Sequence, residues 1–224
     1  MSRIVVFGAG GRAGSAVVAE AAGRGHTVTA VVRDPDAFPG LARDGVTVVR
    51  GDVDAPADVA RVVAGHDAIV NAVTPLKGPQ DIGRLDPLFF VRTGRHLVDA
   101  ATKHGVSRLV LVGHFSNLVT RSGALVADVE EMFPPFLRGF SQSHTDGLKY
   151  FEGTPEAIDW VMLSPPANLD VEGPRTGTYR VGGADLLPEH HDTPAHLSYA
   201  DLAVAMVDEI DNPKHHRTRV SVFD

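Results

Sequence analysis

The clearest chemistry in this sequence lies in Gly8-Ala9-Gly10-Gly11-Arg12-Ala13-Gly14. This segment follows the apolar run Ile4–Phe7, which reads as a strand buried on both faces. It precedes a small-residue helical stretch, Ser15–Gly23. Gly8 allows a tight turn straight off the strand. Gly10 or Gly11 lets backbone approach a pyrophosphate, and Gly14 allows close packing of helix on strand. The helix N-terminus adds free N–H groups and a partial positive charge for the phosphates. The flanking strand–helix–strand unit of about 30 residues is the context that a dinucleotide site requires. The spacing fits two fingerprints, Gly8-x-Gly10-x-x-Ala13 and Gly8-x-x-Gly11-x-x-Gly14.

The end of the second strand, Thr27–Val32, selects the dinucleotide. An NAD site usually carries Asp or Glu there for the ribose 2′-hydroxyl, whereas this chain has Arg33. With Arg12 on the glycine loop, two guanidinium groups suit the 2′-phosphate of NADP(H). The alternative is a solvated Arg33 paired to Asp34 or Asp36. Asp52 and Val53, after the third strand, are expected beside the adenine, although Asp52 equally suits a helix-capping turn. Asn71, Ala72, Val73 and Thr74 leave the fourth strand where the cofactor backbone should pass.

These residues need a scaffold, and the chain supplies alternating strands and helices. Strands are expected at Val46–Val49, Asp67–Asn71, Ser107–Gly113, Asp159–Leu163, Thr178–Val181 and Arg219–Phe223. Helices are expected at 56–64, 85–104, 142–152 and 198–210, with a short helical stretch ending near Gly45. Such alternation implies a doubly wound parallel sheet, an α/β Rossmann-like fold with right-handed connections. Residues 114–141 and 165–197 lose regularity and are expected to form a small irregular cap on one domain.

Composition removes several classes. With 21 Lys+Arg against 28 Asp+Glu, the net charge is −7, which argues against sequence-independent nucleic-acid binding. The absence of cysteine excludes disulfides, thiolate metal sites and a Cys nucleophile. Apolar runs break within about eight residues, short of the ~20 of a membrane span. The N-terminus enters a strand at once, so a cytoplasmic protein without a signal peptide is expected. His190-His191 and His215-His216 lack the i, i+4 spacing of a helical zinc site, so no metal is expected.

Taken together, these segments resemble the atypical short-chain dehydrogenase/reductases, in particular the flavin reductase/biliverdin reductase B-like and NmrA-like branch. The resemblance rests on the glycine loop, Val31-Val32-Arg33-Asp34, Gly51-Asp52-Val53 and Ala64-Gly65-His66-Asp67-Ala68. Gly105-Val106-Ser107-Arg108-Leu109-Val110, Ser164-Pro165-Pro166 and Thr176-Gly177-Thr178-Tyr179 extend it over most of the chain. It implies an NADP reader at Arg33. It also implies a small polar residue near the nicotinamide at the end of the fifth strand, here His114 with Ser116 close by. Pro165 and Pro166 would wall the nicotinamide.

The departures restrict the chemistry. The Tyr-x-x-x-Lys of ordinary short-chain dehydrogenases is absent: Tyr150, Tyr179 and Tyr199 are followed four residues on by Thr154, Gly183 and Ala203. Relatives can carry histidine after the paired prolines, and this chain has Ala167. His114, with a near-neutral histidine pKa, would suit proton donation, or else be a loop histidine bonded to backbone. His144 is expected to head the following helix. Phe115, Phe133, Phe136 and Phe140 would line a flat pocket or seal a lid. The expected function is an NADPH-dependent reductase of a small conjugated or aromatic acceptor such as a flavin, quinone or enone. The alternative is a redox-sensing or regulatory NADP(H)-binding protein without turnover. A sugar-nucleotide epimerase suffers from the missing Tyr-x-x-x-Lys. The small-molecule partner and the oligomeric state are not legible.

Overall fold

The computed structural model describes residues 1–76, 78, 81, 85–184 and 195–224. Parallel strands β1 (Arg3–Phe7), β2 (Thr27–Val32), β3 (Val46–Arg50), β4 (Ala68–Asn71), β5 (Arg108–Val112) and β6 (Asp159–Ser164) build the sheet with β10 (Thr218–Phe223). The order is β3-β2-β1-β4-β5-β6-β10, with the short β8 (Arg180–Val181) at the edge beside β10. Strand order reverses between β1 and β4, so the crevice at their carboxyl ends is where ligands bind in such sheets.

Alternation within β1 sorts the two faces. Ile4 and Val6 pack on α1 (Arg12–Gly23) and α5 (Tyr199–Asp211), against Val17, Val18, Leu202 and Met206. Val5 and Phe7 point the other way, into a core shared with α2 (Pro56–Val63), α3 (Phe89–His104) and α4 (Arg138–Glu152). Side chains of successive strand residues face opposite sides, so one apolar run serves both layers. The sole tryptophan, Trp160 on β6, is buried in this second core near Phe151. A third, smaller cluster joins Leu118, Val126, Ala127 and Phe133 to Ala195 and to Phe223 of β10.

Several expectations shift. The first helix begins at Arg12, not Ser15, so its opening amides belong to the glycine loop. The third helix begins at Phe89, because Pro87 interrupts it and the Leu88 N–H is taken by the Asp86 carboxylate (2.9 Å). The stretch before Gly45 is two 3₁₀ turns, Pro35–Ala37 and Pro39–Leu41, broken by its own prolines. The helix expected from residue 142 begins at Arg138. The sheet is not wholly parallel: β8 (Arg180–Val181) joins β10 antiparallel at the edge. A separate parallel pair, β7 (Asn168–Asp170) with β9 (His196–Ser198), was not expected. These strands are three residues or fewer, too short for periodicity to show.

Candidate functional site

The glycine loop forms the first half of the site. Gly8 leaves β1 at φ +78, a conformation that favours glycine, and a Cβ there would stand 2.6 Å from the Ala72 carbonyl oxygen. The Gly11 N–H donates back to the Gly8 carbonyl (2.9 Å) and closes the turn. A Cβ on Gly14 would lie 2.1 Å from that same carbonyl oxygen, so helix and loop touch there. The packing glycine is therefore Gly14, the third position of Gly8-x-x-Gly11-x-x-Gly14, rather than Ala13. The Phe38 ring occupies the space that a Gly10 side chain would take (2.5 Å). Gly11 remains open, with only the Gly8 oxygen at 3.3 Å. Arg12, Ala13 and Gly14 supply the first amides of α1, which have no intrahelical acceptor.

Arg12 and Arg33 are both exposed, and neither forms an ion pair with a described residue. Asp34 and Asp36 do not neutralise Arg33. Asp52 is committed to a turn: its carboxylate accepts from the Asp54 N–H (3.0 Å), and its own N–H donates to Asp58 (3.1 Å). Val53 is buried, and His96 Nδ1 lies 3.1 Å from its carbonyl. Asn71 bends the exit of β4 by accepting from the Val73 N–H (3.4 Å), and Thr74 accepts from the Leu76 N–H (3.4 Å). This turn carries Ala72 against Gly8. The sequence-predicted cofactor residues of β1, β2, β3 and β4 thus share the carboxyl end of the sheet.

His114 stands two residues beyond β5, next to β4 at that same end. Its ring is half-buried. His144 stacks on it (centroids 5.0 Å, 25°), with Phe140 (5.0 Å) and Phe133 (6.0 Å) edge-on. Phe90 covers the other partner, His144 (3.7 Å). Burial pushes the His114 pKa from 6.5 down to about 4. His144 is also held well below the ordinary value, first by burial and then by His114. His114 is therefore neutral at pH 7, which corrects the expectation of a near-neutral proton donor. Its Nδ1 accepts from the Ser116 backbone N–H (3.3 Å) and lies 2.7 Å from Ser116 Oγ, while its Nε2 bonds to no described group.

His144 does not head its helix but sits in the second turn of α4. Of the four expected wall phenylalanines, Phe133 and Phe140 reach His114. Phe115 packs in the third core and Phe136 is exposed (69%). Phe90, Asn117, Ser141 and Thr145 join the site without any sequence signal, because their partners lie on different elements. Pro165 and Pro166 are buried directly beyond β6. The preceding Ser164 Oγ is buried without a partner among the described residues, in space left by Gly113, where a Cβ would approach it to 2.4 Å.

His190-His191 lie outside the described residues. His215 and His216 pair instead with Glu209 (2.6 Å) and Asp159 (3.0 Å). Among the described residues no group of three His, Cys, Asp or Glu could hold a metal ion, and no helix is long and apolar enough to cross a membrane.

Comparison with known proteins fits this geometry. A family profile described as NAD(P)H-binding matches residues 8–213. The chain belongs to this NAD(P)H-binding family. The chain is 30% identical over 222 residues to the uncharacterised protein YwnB of Bacillus subtilis strain 168, covering 98% of this chain and 97% of YwnB. A candidate exported protein from Burkholderia pseudomallei shares the fold with a TM-score of 0.84 and 32% identity, over 100% of both chains. A candidate epimerase from Bacteroides thetaiotaomicron does so at 0.82 and 32%, over 99% of this chain and 96% of that one. The Rossmann-like α/β architecture and the NAD(P)H-binding family agree with what the sequence implied.

Proposed function

We propose that the protein is an NADPH-dependent reductase of a small, planar conjugated acceptor of flavin, quinone or enone type. The observation that carries this reading is the His114 ring, packed among Phe133, Phe140 and His144 at the strand ends that hold the glycine loop. A dinucleotide, when bound, supplies hydride chemistry. The open amides of Arg12, Ala13 and Gly14 at the positive end of α1 suit its pyrophosphate. Arg33 and Arg12, free of partners among the described residues, suit a 2′-phosphate and favour NADP(H) over NAD(H).

The remaining roles fall on side chains. Pro165 and Pro166 offer a rigid wall. The Phe90, Phe133 and Phe140 rings exclude water and favour a flat apolar partner. His114 Nε2 offers a hydrogen bond where charge develops on the acceptor, and solvent then supplies the proton. Lack of the Tyr-x-x-x-Lys pair disfavours alcohol oxidation and epimerisation. The reading requires a supply of reduced dinucleotide, which suits the cytoplasmic setting expected from the sequence.

The test is NADPH oxidation screened across flavins, quinones and enones, beside direct measurement of NADPH and NADH binding. Turnover with one acceptor class and tighter NADPH binding are expected. Binding without turnover for every acceptor would replace the reductase with a dinucleotide-sensing protein. Equal affinity for both dinucleotides would remove the role of Arg33.

A further inference from the structure

We infer that Asn117 is a positioning residue: its amide nitrogen faces Ser116 and Thr145, and through Ser116 it fixes His114 with the proton on Nε2. The importance of that tautomer rests on the reductase reading, but its existence does not.

Five polar contacts run through this buried cluster. Ser116 Oγ lies 2.7 Å from His114 Nδ1, 2.7 Å from Ser141 Oγ and 3.2 Å from the Asn117 amide. Thr145 Oγ1 lies 3.2 Å from the same end of that amide and 3.0 Å from the Ser141 carbonyl. Ser116, Asn117 and Ser141 are almost wholly buried. Each hydroxyl has one proton, so the contacts can be counted.

With the amide oxygen toward the two hydroxyls, the count fails. Ser116 must give its single proton to both His114 and Asn117, and Thr145 must give its own to both Ser141 and Asn117. The amide nitrogen is then buried without a partner among the described residues, stranding two N–H groups at substantial cost. Moving a proton to His114 Nδ1 relieves Ser116 but points that N–H at the Ser116 backbone N–H, which already faces Nδ1 at 3.3 Å.

With the amide turned, every contact has one donor and one acceptor. Asn117 Nδ2 donates to Ser116 Oγ and to Thr145 Oγ1. Ser141 Oγ donates to Ser116 Oγ, which in turn donates to His114 Nδ1. Thr145 Oγ1 donates to the Ser141 carbonyl. Only the Asn117 oxygen goes without, and an unmet acceptor is the milder loss. Amide orientation and imidazole tautomer are set by such networks. Here the network leaves Nδ1 as acceptor and puts the proton on Nε2, the nitrogen free of described partners. His114 then presents an N–H donor, not a lone pair, to whatever enters the aromatic site.

Side-chain ¹⁵N NMR of the whole protein at pH 7.5 tests this. Wild type should show His114 with a bare Nδ1 and a protonated Nε2. Asn117→Asp has only acceptors, so it should draw the Ser116 proton and move His114 toward the Nδ1–H form. Asn117→Gln, which retains the donor, should return the wild-type pattern if it reaches Ser116. A protonated Nδ1 in wild type overturns the inference, as does an unchanged tautomer in folded Asn117→Asp. Where an acceptor is turned over, Asn117→Asp should lower kcat roughly tenfold, with NADPH affinity unchanged. The wild-type tautomer with no turnover on any acceptor would uphold the network and reject the reductase.

Discussion

The two halves of the site are built by opposite means. Around Gly8–Gly14 the work is done by backbone, and the residue types matter for what they lack. Around His114 it is done by side chains from the turn after β5 and from α3 and α4, held by packing and by a chain of hydroxyls. The first half is local in sequence and rigid by sterics. The second exists only once distant elements have met. Substitutions should therefore act on fold and binding together in the first half, and on chemistry in the second.

The largest effect should come from Gly14→Val. Its side chain would meet backbone at 2.1 Å, so the loop must open. A loss of several kcal/mol of stability is expected, of the order seen for overpacking and strain together. Thermal unfolding checks it, and a wild-type melting temperature would remove Gly14 as the packing contact. Gly11→Val sharpens the point, because only a 3.3 Å contact stands near. It should fold but bind NADPH poorly, by about a hundredfold or more, as calorimetry can measure.

His114→Ala should be next. It should lower kcat by roughly 10²-fold, in the range of a removed transition-state donor, with little change in NADPH affinity. A parallel fall in both, together with the melting temperature, would make His114 a loop anchor and blur the division between the halves. Arg33→Ala should reduce NADPH over NADH selectivity by about 10- to 100-fold, and added salt should weaken wild-type preference in the same direction.

The smallest effect is on acid stability. His114 has its folded pKa near 4, below the ordinary 6.5, so between these values the unfolded chain binds the proton and the native one does not. This contribution is complete above pH 6.5, is lost as pH falls toward 4, and does not grow below that. His144 acts in the same sense. A difference of about 1–3 kcal/mol is expected between wild type and His114→Phe over this window. Denaturant unfolding at pH 7 and pH 5 would measure it, and parallel pH profiles would count against a neutral buried His114.

Legibility follows the same division. The longer parallel strands were readable because each is a short, mostly apolar run, and Gly8, Gly11 and Gly14 because a tight turn tolerates few other residues. Arg33 was legible as a type at a position. The sequence could not show that Gly10 makes room for Phe38, since that contact joins a loop to a 3₁₀ turn beyond β2. Nor could it show the His114 environment. A histidine after a strand has its ordinary pKa until Phe133, Phe140 and His144 exclude water from it. Asn117 carried no signal, because its meaning depends on Ser116 and on Thr145 of another element.

The placement of β10 bears on the order in which the protein can mature. β10 lies between β6 and β8, and its Phe223 enters the small core with Leu118, Val126 and Phe133. During synthesis the glycine loop and β1–β4 emerge early and can begin to assemble. Among the described strands β8 pairs with β10, so that pairing and the packing of Phe223 near Phe133 wait until β10 leaves the ribosome. A nascent chain would thus form the glycine loop and its neighbouring strands before the packing around Phe133, which waits for β10.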